Sequence, residues 1–232
     1  MPTAQQLIES VQRKVRDASY GPDEILALLN RGLNEVAGWK NTRPEFGLHG
    51  EILLPFLETV AAWSTQEDLA NVDLPANYIK NMYMVNQPSN VPISIWSSMR
   101  ELLREWGGVL TNEGVNVEDV ALMGDQLYYQ PIPTEALTLL VYYYRKPSLL
   151  TLEDPNGVTN TPYCLPEELQ EDLLVNYAAM EIYDEIEDGL DGQKTQTANY
   201  AGRYQRALNK LYKSIAHKSP QRPARPRSVG FF

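Results

Sequence analysis

Residues 165–188, LPEELQEDLLVNYAAMEIYDEIED, contain the strongest helix signal of the chain. Pro166 followed by two glutamates is typical of a helix start, because proline suits the first turn and the helix dipole favours anions there. Gly189 and Gly192 mark the predicted end of this helix. The apolar residues that continue it are Leu169, Leu173, Leu174, Tyr177, Met180 and Tyr183.

A second helix is predicted at about residues 193–216. One of its faces is apolar, with Tyr200, Tyr204, Leu208 and Leu211 at spacings of four, four and three. The opposite face carries four cations: Arg203, Arg206, Lys210 and Lys213.

Two further helices are predicted in the first 40 residues. Thr3 and Gln6 form a T-x-x-Q capping box before an apolar face made of Leu7, Ile8, Val11 and Val15, and Tyr20-Gly21 breaks this helix. Pro22 opens the next helix, whose stripe is Ile25, Leu26, Leu29, Leu33 and Val36. Gly32 lies inside this helix at a cost of about 1 kcal/mol against alanine, which indicates a close helix contact.

Between these helix pairs, residues 45–163 change to short segments bounded by prolines, which indicates strands. The candidate strands are Leu57–Ser64, Tyr78–Val85, Ile93–Trp96, Val117–Leu122, Gln126–Gln130 and Ala136–Arg145. The last is apolar on both sides and is expected to be covered on both faces. Met123-Gly124-Asp125 predicts a hairpin turn. Ser98 and Glu101 predict a capping box for one short helix over 98–106.

The sequence therefore predicts an α+β fold, an antiparallel helical bundle with an inserted β-rich domain and an extended C-terminal tail. The expected domains are a helical body from residues 1–44 and 164–217, the β-rich insertion 45–163, and a basic docking tail 218–232.

The charge of the chain is unevenly distributed. Its 232 residues have a formal net charge of −10. Residues 1–191 hold 11 Lys/Arg and all 30 Asp/Glu, a net charge of −19, whereas residues 192–232 hold 9 Lys/Arg and no acid. Such a split favours either assembly with a neighbouring copy or a basic helix and tail that merely share one end.

Several classes of protein are disfavoured by composition and motif. The single Cys164 excludes a disulfide framework, and with only His49 and His217 a histidine metal triad is excluded. No phosphate loop, dinucleotide fingerprint or nucleophile elbow occurs. The longest apolar run is far shorter than the roughly 20 residues of a membrane span, so we expect a soluble cytoplasmic product that contacts no membrane. No cofactor is expected.

The acidic run 181–191 is the best candidate for chemistry. Glu181, Asp184, Glu185 and Asp188 share one helix face and could bind a divalent cation or supply paired carboxylates. That would make the protein a divalent-cation-dependent carboxylate hydrolase or nuclease. The alternatives are a solvated face or a dock for a basic segment.

The tail SPQRPARPRSVGFF, residues 219–232, is expected to be extended and polyproline-like. Arg222, Arg225 and Arg227, with Phe231 and Phe232 as anchors, could dock into an acidic protein groove. Disorder and nucleic-acid binding are the alternatives.

The order of these motifs resembles the head-to-tail adaptor (connector, head-completion) proteins of short-tailed and related tailed bacteriophages, over roughly residues 5–215. The resemblance rests on ILALLNRGLNEV at 25–36, RPEF at 43–46, DLPANY at 73–78, QLYYQPIP at 126–133, YYY at 142–144 and LPEEL at 165–169. The chain departs from the pattern in its acidic stretch 181–191 and between Trp106 and Val117.

The resemblance implies a non-enzymatic virion protein of the neck, made in the host cytoplasm. It implies a homo-oligomeric ring, commonly of twelve copies, beneath the portal, which extends the DNA channel and offers a platform for tail or nozzle proteins. DNA would pass without sequence-specific binding, and the C-terminal tail would grip the portal. The faces Glu181, Asp184, Glu185 and Asp188 against Arg203, Arg206, Lys210 and Lys213 could then meet between subunits.

Overall fold

The computed structural model describes residues 1–17, 19–38, 40–41, 50–51, 55–87, 89–152, 161–188 and 194–218. These residues form a mixed α+β protein. The described helices are α1 (Ala4–Val15), α2 (Pro22–Gly38), α3 (Met99–Glu105), α4 (Glu167–Glu187) and α5 (Thr195–Lys218). The described strands are β1 (Lys40–Asn41), β2 (Gly50–Glu51), β3 (Glu58–Ser64), β4 (Asn71–Asp73), β5 (Tyr78–Gln87), β6 (Ser94–Trp96), β7 (Glu113–Gly114), β8 (Asp119–Met123), β9 (Gln126–Gln130), β10 (Ile132–Pro133) and β11 (Thr138–Arg145).

The chain divides into two compact units. The helical unit comprises Met1–Phe56 and Ser148–Phe232, and the β-rich unit comprises Leu57–Pro147. The domain division at 44/45 and 163/164 stays a prediction, and its first boundary lies outside the described part of the chain.

Helix α4 is the centre of the helical unit. It contacts α1, α2 and α5, and residues 173–179 are buried without interruption over two turns. A helix that is buried all round needs apolar or small residues on every face. The stretch LLVNYAA meets that need, with Asn176 as its one amide.

The predicted start of α1 is confirmed, and its end lies earlier than expected. Thr3 accepts from the Gln6 amide while the Gln6 side chain accepts from the Thr3 amide, so both halves of the capping box are present. The helix ends at Val15, because Arg16 adopts a left-handed conformation with φ 57°. The break thus precedes the predicted Tyr20-Gly21 pair.

Asn30 of α2 fixes the chain that returns from the β-rich unit. Its amide nitrogen donates to the Leu150 carbonyl at 3.0 Å, and the Leu150 amide donates to its oxygen at 2.7 Å. The side chain therefore satisfies both backbone groups of one residue, as a neighbouring strand would.

The β-rich unit contains two main sheets. One has the order β3-β11-β5, with both pairings antiparallel, and the other has the order β4-β9-β8-β6. Within the first sheet, Tyr144 near the end of β11 lies opposite Glu58 at the start of β3. The buried cluster takes side chains from both sheets, among them Trp63, Met84, Val120, Tyr129, Leu139 and Val141.

The expectation that the strand Ala136–Arg145 is covered on both faces is wrong. Leu139, Val141 and Tyr143 are buried, but Tyr142 is 40% exposed on the other face. The reason is that the three-stranded sheet packs through one face, and Tyr142 lies in register with the exposed Val60 and Tyr83 on the flanking strands. Apolar residues on both sides did not imply burial on both sides.

The hairpin and the short helix are confirmed with one correction. Gly124 has a φ of 61° between β8 and β9, and Ser98 caps α3 by accepting from the Glu101 amide. In a full capping box the Glu101 side chain would also accept from the Ser98 amide, but here it accepts from the Ser97 hydroxyl. Asp119 then ties α3 to the sheet by accepting from the indoles of Trp96 at 2.8 Å and Trp106 at 2.9 Å.

Candidate assembly surface

Helix α5 presents its four predicted cations to solvent. Arg203, Arg206, Lys210 and Lys213 are all exposed. The apolar side of the helix is buried against the helical unit, as the sequence predicts for Tyr200, Tyr204, Leu208 and Leu211. The amphipathic pattern therefore fixes which face of α5 stays outward.

Three of these cations border a concave site. A cavity of about 350 Å³ lies between α1, α4 and α5, lined by Lys14, Asp172, Asn176, Arg203, Arg206, Ala207 and Lys210. We call this site the cationic cleft. It holds four cations and one carboxylate, so its net charge is positive on a chain that is acidic as a whole.

Lys14 lies half-buried in the cationic cleft. Its ammonium donates to the Asn176 side-chain oxygen at 3.4 Å, a long contact with a neutral group. Burial lowers the pKa of Lys14 and Arg203 lowers it further, although Glu171 and Asp172 raise it. Asn176 is held in place because its amide donates to the Asp172 carbonyl at 2.6 Å.

The cleft arginines have no carboxylate partner within the described residues. Arg203 lies over the Tyr200 ring at 5.4 Å from its centroid, and Arg206 donates to the Gly202 carbonyl at 3.1 Å. Lys210 reaches Asp172 only at 3.7 Å. The guanidinium forks therefore retain donors that can bind an oxyanion.

The predicted acidic face is largely engaged within the chain. Lys194 binds Asp184 at 2.8 Å and Asp188 at 2.7 Å, which raises the pKa of Lys194 and lowers that of Asp188. Arg31 binds Glu181 at 3.0 Å. Glu185 is exposed and accepts from the Tyr20 hydroxyl at 3.1 Å. Each carboxylate nevertheless keeps further acceptor positions.

Glu187 has a structural role that the sequence analysis did not assign. Its carboxylate accepts from the amides of Gln196 at 2.9 Å and Thr197 at 3.0 Å, so it caps the start of α5. Burial alone would raise its pKa, but these hydrogen bonds from Thr197 and Gln196 lower it below the ordinary value. A side chain at the end of α4 therefore caps the free amides at the start of the next helix.

The acidic run gives little support for metal chemistry. Among the described residues, no group of three or more His, Cys, Asp or Glu side chains is placed to hold a metal ion. Cys164 is buried. No helix in the described part of the chain is long and apolar enough to cross a bilayer.

Other predicted site residues lie outside the described part of the chain. These are Arg222, Arg225, Arg227, Phe231 and Phe232 of the tail, together with Asp191 and His49.

The cleft itself was missed by the sequence analysis. Lys14 is 162 residues from Asn176 along the chain, and its position showed only that it belongs to the polar side of α1. A half-buried lysine has no local pattern that distinguishes it from a solvated one.

Comparison with known families gives a match over nearly the whole chain. Residues 2–227 match the family described as SU10 adaptor protein. No curated protein matches the chain. The matched class is the head-to-tail adaptors of bacteriophages, as the sequence resemblance predicts. The chain belongs to the SU10 adaptor protein family, and it is a structural adaptor component of the phage virion neck.

Proposed function

We propose that the protein assembles into a ring beneath the portal, extends the DNA channel and provides the attachment platform for tail or nozzle proteins. The match of residues 2–227 to the adaptor family carries this proposal. We take the ring to contain twelve copies, as the resemblance expects, and the helices of the helical unit to form an antiparallel bundle. The protein acts as a structural part without catalysis or cofactor, and DNA passes it without sequence-specific contacts.

The C-terminal tail is the proposed portal anchor. Residues 218–232 combine three arginines with two terminal phenylalanines and contain no acid. Arginine and aromatic side chains carry much of the binding energy at protein interfaces, and a proline-rich segment loses little conformational entropy on docking. Arg222, Arg225 and Arg227 would bind carboxylates, while Phe231 and Phe232 would fill apolar pockets.

The two charged faces are the proposed contacts between copies. A closed ring with rotational symmetry requires two different surfaces on each copy. The cationic face of α5 and the acidic face at the end of α4 are unlike surfaces of this kind. Asp184 and Asp188 are 54% and 75% exposed, so their ion pairs with Lys194 leave oxygens available to a neighbour.

The alternative of a carboxylate hydrolase or nuclease is less well supported. The carboxylates it would use are already bound to cations or a hydroxyl: Glu181 to Arg31, Asp184 and Asp188 to Lys194, and Glu185 to Tyr20. A divalent cation would first have to displace these partners.

Native mass spectrometry of the chain mixed with the portal ring encoded in the same genome tests the proposal. We expect a complex carrying about twelve added copies, as the resemblance implies. Absence of added mass at micromolar concentration and modest salt would remove the portal as partner. Calorimetry with Mg²⁺ and Mn²⁺ would then examine the acidic face.

A further inference from the structure

The cationic cleft contains more positive charge than the chain itself neutralises. Lys14, Arg203 and Arg206 have no carboxylate partner in the described part of the chain, and Lys210 has a distant one. The half-buried Lys14 ammonium has one long hydrogen bond, and the nearby Glu171 and Asp172 compensate only part of its desolvation, since its pKa remains lowered. An oxyanion entering the cleft would supply the remaining compensation, because charge-assisted hydrogen bonds are stronger than neutral ones.

The shape of the cleft favours a side chain over a nucleic acid. Its volume of about 350 Å³ lies between three helices, with Lys14 and Asn176 from α1 and α4 opposite the α5 cations. A carboxylate on a protruding side chain can enter such a space and meet donors from several directions. A DNA duplex is convex, and the net charge of −10 would repel it at a distance.

The acidic face of the same chain cannot reach its own cleft. Asn176 lines the cleft and Glu185 belongs to the acidic face, and nine residues of α4 separate them. That separation corresponds to about 14 Å along the helix axis and about 180° around it. The two patches thus lie at different heights on different sides of α4, as the unlike surfaces of a head-to-tail ring contact must.

We propose that the cationic cleft of one copy receives the exposed carboxylate of Glu185 from the neighbouring copy, with Asp188 beside it. This inference rests on the proposed ring and names the residues that close it. Glu185 is the best candidate for the carboxylate that enters the cleft, because it is exposed and its intrachain partner is a single tyrosine hydroxyl. Arg206 is the best cleft residue to alter, since it is exposed and its described hydrogen bond goes to a backbone carbonyl.

Two charge reversals, Arg206→Glu and Glu185→Lys, test the contact. Each variant alone places like charges at positions 206 and 185 of every ring contact, so the concentration needed to fill the portal ring should rise about tenfold or more. In a one-to-one mixture, an alternating ring restores opposite charges at positions 206 and 185 of every contact. Position 206 of each Arg206→Glu copy then faces the lysine of a Glu185→Lys copy, and the remaining contacts join a native cleft to a native Glu185.

The mixture separates a contact between copies from a role within one copy. We expect native mass spectrometry to show that the mixture fills the portal ring at a lower concentration than either variant alone, with equal numbers of both variants. Arg104→Glu is the control, since it reverses an exposed cation of α3 that belongs to neither the cationic cleft nor the two charged faces. Circular dichroism melts check that every variant folds.

Two outcomes would overturn the inference while leaving the proposed function intact. One is normal filling of the portal ring by either single variant, and the other is a folded mixture that binds no better than its components. Failure of the wild-type chain to bind the portal ring would instead contradict the proposed function.

Discussion

Gly32 of α2 lies directly against the ring of Tyr177 on α4. A Cβ atom at position 32 would come within 2.6 Å of the Tyr177 Cδ1 atom and 2.9 Å of its Cγ atom. Tyr177 is 1% exposed, so its ring has no room to move away. The close helix contact that the sequence predicts at Gly32 is therefore confirmed, and it brings α2 onto the central helix.

We expect Gly32→Ala to destabilise the protein by about 1–3 kcal/mol, because the new methyl group overpacks the α2–α4 contact. This change in the free energy of unfolding is opposite in sign to the usual one, since alanine in a helix interior is favoured over glycine by about 1 kcal/mol. Urea unfolding measures the change. Gly202→Ala in α5 is the control, because its Cβ would meet nothing within 4 Å. That substitution should therefore stabilise the chain, as alanine usually does in a helix. Equal effects at both positions would contradict the contact.

Asn86 should be intolerant of a nearly isosteric change. Its side chain pairs with both backbone groups of Val117, at 2.6 Å to the carbonyl and 3.2 Å from the amide, and it is 1% exposed. Asn86→Asp removes the donor and faces the carbonyl with a charge, at an expected cost of about 3 kcal/mol in the free energy of unfolding. Asn90→Asp, at an exposed turn position, should change it by less than about 0.5 kcal/mol. Similar losses for both variants would refute the assignment.

Stability should depend on pH through Glu187. Hydrogen bonds at the start of α5 hold its pKa below the ordinary value of 4.5, so its contribution is full above pH 4.5 and is lost as the pH falls through the folded-state pKa. Glu187→Gln should therefore lower the urea midpoint at pH 7, and the difference from wild type should shrink in acid. Glu67→Gln, at an exposed loop position, should leave the urea midpoint unchanged both at pH 7 and in acid. A difference that persists undiminished in acid would exclude the carboxylate as its source.

Deletion of residues 218–232 should abolish portal binding while leaving the melting curve of the chain unchanged. The deletion removes the three arginines and two phenylalanines of the proposed anchor and ends the chain near the end of α5. Native mass spectrometry with the portal ring measures the loss. A chain with the same fifteen residues in scrambled order controls for charge alone. Undiminished binding by the truncated chain would end the anchor proposal.

Sequence patterns predicted features whose causes are local. The cap of α1 involves residues three apart, and the start of α4 follows from Pro166 and the two acids after it. The strand Gln126–Gln130 has its predicted bounds because a turn precedes it and a proline follows it. The three-residue strand β4 was missed, since it is too short to show an alternating pattern.

Features that depend on distant residues could not be predicted in this way. The acidic run indicated a face of like charges, and only the fold shows that Lys194, Arg31 and Tyr20 meet it. The cationic cleft is a second case, because Lys14 reaches it only through the packing of α1 on α4. Charge patterning along one helix gives the sign of a surface but not its partners.

Because Tyr144 lies opposite Glu58, the gene segment that encodes the β-rich unit can be exchanged as one piece. The chain enters this unit at the start of β3 and leaves it at the end of the adjacent strand β11, so its two ends are about 5 Å apart. A segment with adjoining ends can be exchanged as one piece between two points of a gene without stretching the backbone on either side. Recombination between related genes can therefore replace this unit while the helices that flank it keep their sequence.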